Sequence, residues 1–203
     1  MTARKAISLA EALNSLYSIV KVKKKPTSTV RLQRLADYCV QQLAKRGLTG
    51  AETDVTIPGG GREKKWDVAW KYQNKYRLAI SLKSILSNLG GTVPNRIDDL
   101  IGEVANVQMY SPEIVTGYIM VFDVSEDGVQ PGRGITWCDL LAQRLAQLSG
   151  RKAPYWSIGT IEAFALIRVN FSSKATILDD ESSVQKMFDE LIAEVKRRNP
   201  SLS

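Results

Sequence analysis

Two strand-like segments, Lys65 to Trp70 and Tyr76 to Lys83, are separated only by a turn around Asn74, and this pairing constrains the chain more than any other feature. Residues two apart on a strand share a face, so Arg77, Ala79, Ser81 and Lys83 point one way and Leu78, Ile80 and Leu82 the other. Asp67 is the only acid of the first segment and lies among Trp66, Val68 and Trp70, which predicts a partly buried carboxylate. Such a group needs a partner, and a metal ion or Lys83 would serve. If the strands are neighbours, Asp67, Ser81 and Lys83 converge. A metal-binding carboxylate beside a lysine that can act on water suits phosphodiester hydrolysis.

The surrounding pattern predicts an α/β protein. Residues 6–20 carry apolar positions at helical spacing and lead into the basic run Lys21-Val22-Lys23-Lys24-Lys25-Pro26. A stronger helix is expected over 28–46, capped by Ser28 or Thr29 and stopped at Gly47. Thr53 to Pro58 reads as a strand, and Gly59-Gly60-Gly61-Arg62-Glu63 as a flexible turn. Gly90, Gly91 and Pro94 mark 87–96 as a loop, followed by a helix with Ile97, Leu100, Ile101 and Val104 as its apolar stripe. Ile114 to Phe122 is apolar enough for a sheet centre. Trp137 to Leu148 reads as a helix, Ile161 to Phe171 and Ala175 to Leu178 as strands, and Ser182 to Arg198 as the closing helix. The expectation is one domain over 1–203: an N-terminal helix and basic loop (1–27), an α/β core (28–178) and a C-terminal helix (179–203).

Composition narrows the chemistry. The chain has no histidine, which removes Ser/His/Asp triads, Cys/His nucleophiles and ordinary zinc hydrolases. Cys39 and Cys138 each sit among apolar neighbours in helical segments, as buried free thiols do. A formal net charge of +7 favours a polyanionic partner, with nucleic acid first. No apolar run approaches the roughly 20 residues needed to span a bilayer, and the first ten residues lack the pattern of a secretory signal, so an intracellular, cytoplasmic location is expected.

With these residues in place, the chain resembles the PD-(D/E)xK nuclease superfamily, the fold of many type II restriction endonucleases and Holliday-junction resolvases, over about residues 30 to 125. The resemblance implies a restriction-endonuclease-like fold, a central mixed β-sheet flanked by helices. It also implies that Asp67 binds Mg²⁺, that the Leu82 carbonyl completes the metal shell, and that Lys83 orients or deprotonates the attacking water. Trp66 stands in place of the family's proline. Ser81 stands where the family has an acidic residue, so one metal-binding carboxylate is missing. Some restriction enzymes of the superfamily have serine there and recruit a glutamate from the following helix. Here the first acids after Lys83 are Asp98, Asp99 and Glu103; Glu103 borders the apolar stripe and has the longer reach, so it is the expected second carboxylate.

The reading is therefore a Mg²⁺-dependent endonuclease acting on double-stranded DNA as a homodimer, most simply a type II restriction enzyme, with Asp67, Ser81, Lys83 and Glu103 as its site. A resolvase or repair nuclease is the alternative of the same class. A DNA-binding or assembly protein that keeps the fold without catalysis is the alternative that Ser81 argues for. Asn88, Asn95 and Arg96 are placed to meet DNA bases, and Lys23, Lys24 and Lys25, with Lys21 and Arg31, to grip phosphates. The glycines at 59–61 lack the following Gly-Lys-Ser/Thr of a phosphate-binding loop.

Overall fold

A computed structural model describes residues 6–130 and 132–202, so Met1 to Lys5, part of the stretch read for a secretory signal, lie outside the described residues. One mixed sheet of six strands runs in chain order: β1 (Glu52–Ile57), β2 (Lys64–Tyr72), β3 (Lys75–Ile85), β4 (Val115–Asp123), β5 (Ala163–Asn170) and β6 (Thr176–Ile177). β1, β2 and β3 form an antiparallel meander; β3, β4 and β5 are parallel, and β6 closes the edge antiparallel. Parallel neighbours need crossovers, which α3 (Leu89–Tyr110) and α4 (Trp137–Gln147) supply.

Three layers result. Val68, Trp70, Leu78, Ile80, Leu82, Val115 and Ile119 pack against α1 (Leu9–Tyr17), α2 (Gln33–Lys45) and α5 (Ser182–Arg198). Trp66, Ala69, Ala79, Ile85, Tyr118 and Met120 pack against α3 and α4 on the opposite face. Every residue of β4 is buried, as a central strand covered on both sides requires. Gly117 gives α5 its close approach, since a Cβ there would lie 2.6 Å from Leu191 Cδ1. Both cysteines are buried and free, as expected, and among the described residues no helix is long and apolar enough to cross a membrane.

Local departures from expectation have physical causes. The first helix is capped at Ser8, whose side chain accepts from Glu11 N–H at 3.1 Å, and it widens into a π-helical turn at Ser18–Val22 before the lysines. Neither Ser28 nor Thr29 caps α2. Successive i→i+3 bonds, Arg31 N–H to Ser28 O and Gln33 N–H to Val30 O, hold 28–32 as turns, and Val30 is too exposed to anchor a helical turn.

The expected loop at 87–96 is the largest correction. Asn88 takes a left-handed conformation, its carbonyl accepts from Gly91 and Thr92 N–H, and α3 begins at Leu89. Leu89 and Val93 are buried, and Gly90 packs on the Trp137 ring, so tertiary contact overrides the weak helix propensity of Gly-Gly-Thr-Val-Pro. Pro94 removes only one donor there. Asn95 and Arg96 are thus helical. The buried face of α3 is Leu100, Glu103, Val104 and Val107, with Ile101 turned 40% to solvent.

Candidate functional site

The sheet forks at Asp67. β2 and β3 pair from Val68–Ile80 to Tyr72–Lys75, whereas Lys64–Trp66 pairs only with β1 and Leu82–Ile85 only with β4. Trp66 belongs to the α3/α4 layer and Val68 to the opposite one, although residues two apart should share a face. β2 therefore turns over at Asp67, and Asp54 on β1 adopts φ +57° between the flanking pairs Thr53–Val68 and Val55–Trp66. In the fork Asp67 Oδ2 accepts the Leu82 N–H at 2.6 Å, replacing the acceptor that a paired β2 would have provided. The N–H and C=O of one strand residue point to the same edge, so the Leu82 carbonyl also faces the fork.

Ser81 and Lys83 project from β3 toward α3, where Glu103 meets them. Ser81 Oγ donates to Glu103 Oε2 at 3.0 Å, and Lys83 Nζ lies 2.9 Å from Glu103 Oε1. A second cation, Lys64, reaches the same Oε1 at 2.6 Å. Glu103 is only 7% exposed. Asp98 and Asp99 are exposed, and Asp99 pairs with Arg96 at 2.6 Å, so Glu103 is the helix acid that the fold brings to Ser81 and Lys83.

The two carboxylates are poised in opposite electrostatic senses. Burial raises the Asp67 carboxyl above its ordinary range, and neither the Leu82 N–H nor Lys83 fully offsets it. Burial also pushes the Glu103 carboxyl up, but Lys83 and Lys64 outweigh it and hold it below the ordinary range. Asp67 makes no ion pair with any described residue, so it is the member of the pair that still lacks a cation.

Nearby polar groups belong to the same region. Tyr118 pairs with Ser81 in register on β4; its hydroxyl is buried without a hydrogen-bond partner, and burial, Glu103 and Asp99 push it up. Arg96 Nε is likewise buried and unpartnered. Arg31 donates through Nε to Ser84 Oγ at 3.3 Å, and burial together with the like charge of Arg96 lowers it, against the pull of Asp67. Arg31 and Arg96 thus bear on the fork from the two sides of the sheet.

Other expected contacts are more peripheral. Lys23, Lys24 and Lys25 are exposed on the turns leading to Arg31, while Lys21 is drawn to Asp123 at 3.1 Å, at the C-terminal end of β4. Asn88 and Asn95 are exposed near the start of α3 and touch none of the four site residues through a hydrogen bond. Sequence reasoning missed Lys64 by starting its strand one residue late; carried back from Trp66, the two-residue period places Lys64 on the α3 face.

Asp67, Glu103, the Leu82 carbonyl and Ser81 Oγ would offer an ion only hard oxygen donors, which suit Mg²⁺ far better than zinc or copper. The buried, unneutralised Asp67 is the observation that favours such an ion. Among the described residues no three His, Cys, Asp or Glu side chains converge, so water or phosphate oxygens would have to fill most of its shell. A groove of about 1040 Å³ beside α2 and β1 is lined by none of Asp67, Ser81, Lys83 and Glu103. No protein-family model, curated protein or solved structure matches the chain.

Proposed function

We propose that the protein is a Mg²⁺-dependent DNA endonuclease of restriction-endonuclease-like fold. The observation that carries this reading is the buried Asp67, held on the Leu82 N–H where β2 and β3 part, next along β3 to the Ser81–Glu103–Lys83 cluster. Asp67, Glu103 and the Leu82 carbonyl would hold the ion, which would neutralise charge on the phosphate and leaving oxygen. Lys83, paired with Glu103 and 20% exposed, would orient the attacking water by donating to it, and the water's proton would leave to bulk solvent or a phosphate oxygen. Ser81 positions Glu103 in place of a carboxylate of its own. A type II restriction enzyme acting as a homodimer is the simplest form of this activity, because two sites related by a two-fold axis cut both strands.

Supercoiled plasmid incubated with Mg²⁺ or Mn²⁺ tests the proposal. Wild type should nick or linearise it, and Asp67→Ala and Lys83→Ala should each slow this by about 10²–10⁴-fold while still binding DNA. A wild-type protein that binds duplex DNA and never cuts it, across metals and sequences, would instead support a non-catalytic DNA-binding role, for which Ser81 and the doubly paired Glu103 are the favouring observations.

A further inference from the structure

Glu103 holds more positive charge than its role in hydrolysis requires. Lys83 alone would suffice to orient water, yet Lys64 shares the same carboxylate oxygen at the shorter distance, 2.6 Å against 2.9 Å. Both ammonium groups sit on Glu103, while Asp67 has no cation of its own. A divalent ion entering between these carboxylates therefore meets two cations at hydrogen-bond distance from one of its ligands. Repulsion at such separations is substantial in a partly buried site, so one lysine has to give way.

The surroundings decide which. Lys83 lies within β3, where the chain is fixed in register against β4. Lys64, the first residue of β2, is likewise in register with Ile57 of β1, so what each ammonium can reach, not backbone freedom, makes the choice. Beyond Glu103 lies an open depression of about 520 Å³, lined by Arg62, Lys64, Asp98, Asp99 and Gly102 among others. Asp98 is exposed and makes no ion pair or side-chain hydrogen bond with any described residue, whereas Asp99 already holds Arg96. Lys64 thus shares this depression with a second, unclaimed carboxylate, which Lys83 does not line.

We propose that Lys64 is a resident counter-ion of Glu103 that a divalent cation displaces toward Asp98, so that metal entry is coupled to movement of this one side chain. The role rests on the nuclease reading and goes beyond it: Lys64 is a positioning residue that keeps Glu103 ordered before the metal arrives and weakens metal binding in doing so.

Calorimetric titration with Mn²⁺, without DNA, tests it in wild type, Lys64→Gln, Lys64→Arg, Asp98→Asn, Asp67→Asn and the Lys64→Gln/Asp98→Asn double variant. Lys64→Gln should bind Mn²⁺ about tenfold more tightly, within the usual range of coupling between two ligands. Lys64→Arg, which keeps the charge, should bind like wild type. Asp98→Asn should weaken binding in the wild-type background and have no effect once Lys64 is Gln, and Asp67→Asn should abolish the site. Lys64→Met, which keeps the apolar stem, replaces Gln if thermal melts show that Gln disrupts the fold. Equal or weaker Mn²⁺ binding by Lys64→Gln, with Asp67 still required, would overturn the counter-ion role alone. Absence of Asp67-dependent binding in every variant would overturn the metal-dependent nuclease reading and this role with it.

Discussion

Asp67 and Glu103 are buried carboxylates held in opposite directions, and each gives a stability signature that depends on pH. The folded state binds a proton at Asp67 more tightly than the unfolded chain does, because burial raises the carboxyl. The ionised Asp67 therefore destabilises the fold, a cost that grows as pH rises from the unfolded value through the folded one and persists at neutrality. Asp67→Asn keeps an oxygen for the Leu82 N–H and removes the charge. Its melting temperature at pH 7 should exceed that of wild type by a few degrees, and the gain should vanish in acid, below the ordinary carboxylate range of about 4. Glu103 behaves inversely: its carboxyl is lowered, so its stabilisation is present above the unfolded value and lost as pH falls through the folded one. Glu103→Gln should lower the neutral melting temperature, also by leaving Lys64 and Lys83 without their counter-ion. That Ser81 and Lys83 share a face of β3 and that Glu103 borders the apolar stripe of α3 was legible in the two-residue and 3.6-residue periods, whereas the reversal of β2 at Asp67 was not. Nor were Lys64 and Tyr118, since nothing local says that a strand's first residue or a central-strand tyrosine borders a particular carboxylate.

At the scale of elements, the segment between β1 and β2 behaves unlike the flexible turn its three glycines suggest. Asn106 on α3 grips it: its Oδ1 accepts from Gly61 N–H at 2.9 Å and Arg62 N–H at 3.2 Å, and its Nδ2 donates to Arg62 O at 2.9 Å. Gly60 N–H adds a bond to the Asn106 carbonyl at 2.7 Å. A Cβ on Gly59 would come within 2.0 Å of Asn106 Nδ2, so glycine is needed there for close approach to α3. This latch fixes the start of β2, and with it Lys64, against the helix that carries Glu103. Asn106→Ala leaves the Gly61 and Arg62 groups to water and should cost about 1–3 kcal/mol. Hydrogen exchange should rise at 60–63 and at Lys64 before it rises elsewhere in β2. Unchanged protection there would mean that main-chain contacts alone hold the turn. Glycine and proline signals misread both this turn and the start of α3, for one reason: each rule describes the isolated chain, whereas Asn106 and Trp137 act from far along the sequence.

Across the whole molecule, the ends of the parallel strands divide stability from charge. At the N-terminal end of β4 and β5, Glu162 accepts from Thr116 N–H and hydroxyl at 2.6 and 2.8 Å, and pairs with Arg151 at 2.9 Å and Arg198 at 2.6 Å, all nearly inaccessible. This ties α5 and the 148–162 connection to the central strand, so Glu162→Ala, which strands two buried guanidinium groups, should cost about 3–5 kcal/mol in denaturant melts. The six-stranded sheet and its helix order were legible in the sequence; this buried network was not, because ion pairs between distant residues leave no periodic trace. At the C-terminal end the basic groups are less fully neutralised: Lys23, Lys24 and Lys25 are exposed on the segment leading to Arg31, and Arg31 and Arg96 flank the fork. Ligands of open α/β sheets commonly sit beyond the carboxyl ends of the strands, so this edge is where a phosphate backbone would lie under the proposed function. Binding of a short duplex, followed by fluorescence anisotropy in Ca²⁺ to suppress cleavage, should weaken steeply with salt. Each basic residue that neutralises a phosphate should contribute about 0.9 to the slope of log affinity against log salt. Replacing Lys23, Lys24 and Lys25 together by Gln should therefore lower the slope by about 2–3 if all three meet DNA, whereas Lys45→Gln, on the last turn of α2, should leave it unchanged. A triple variant with the wild-type slope would move the DNA off this edge and leave the lysines as a solvated surface.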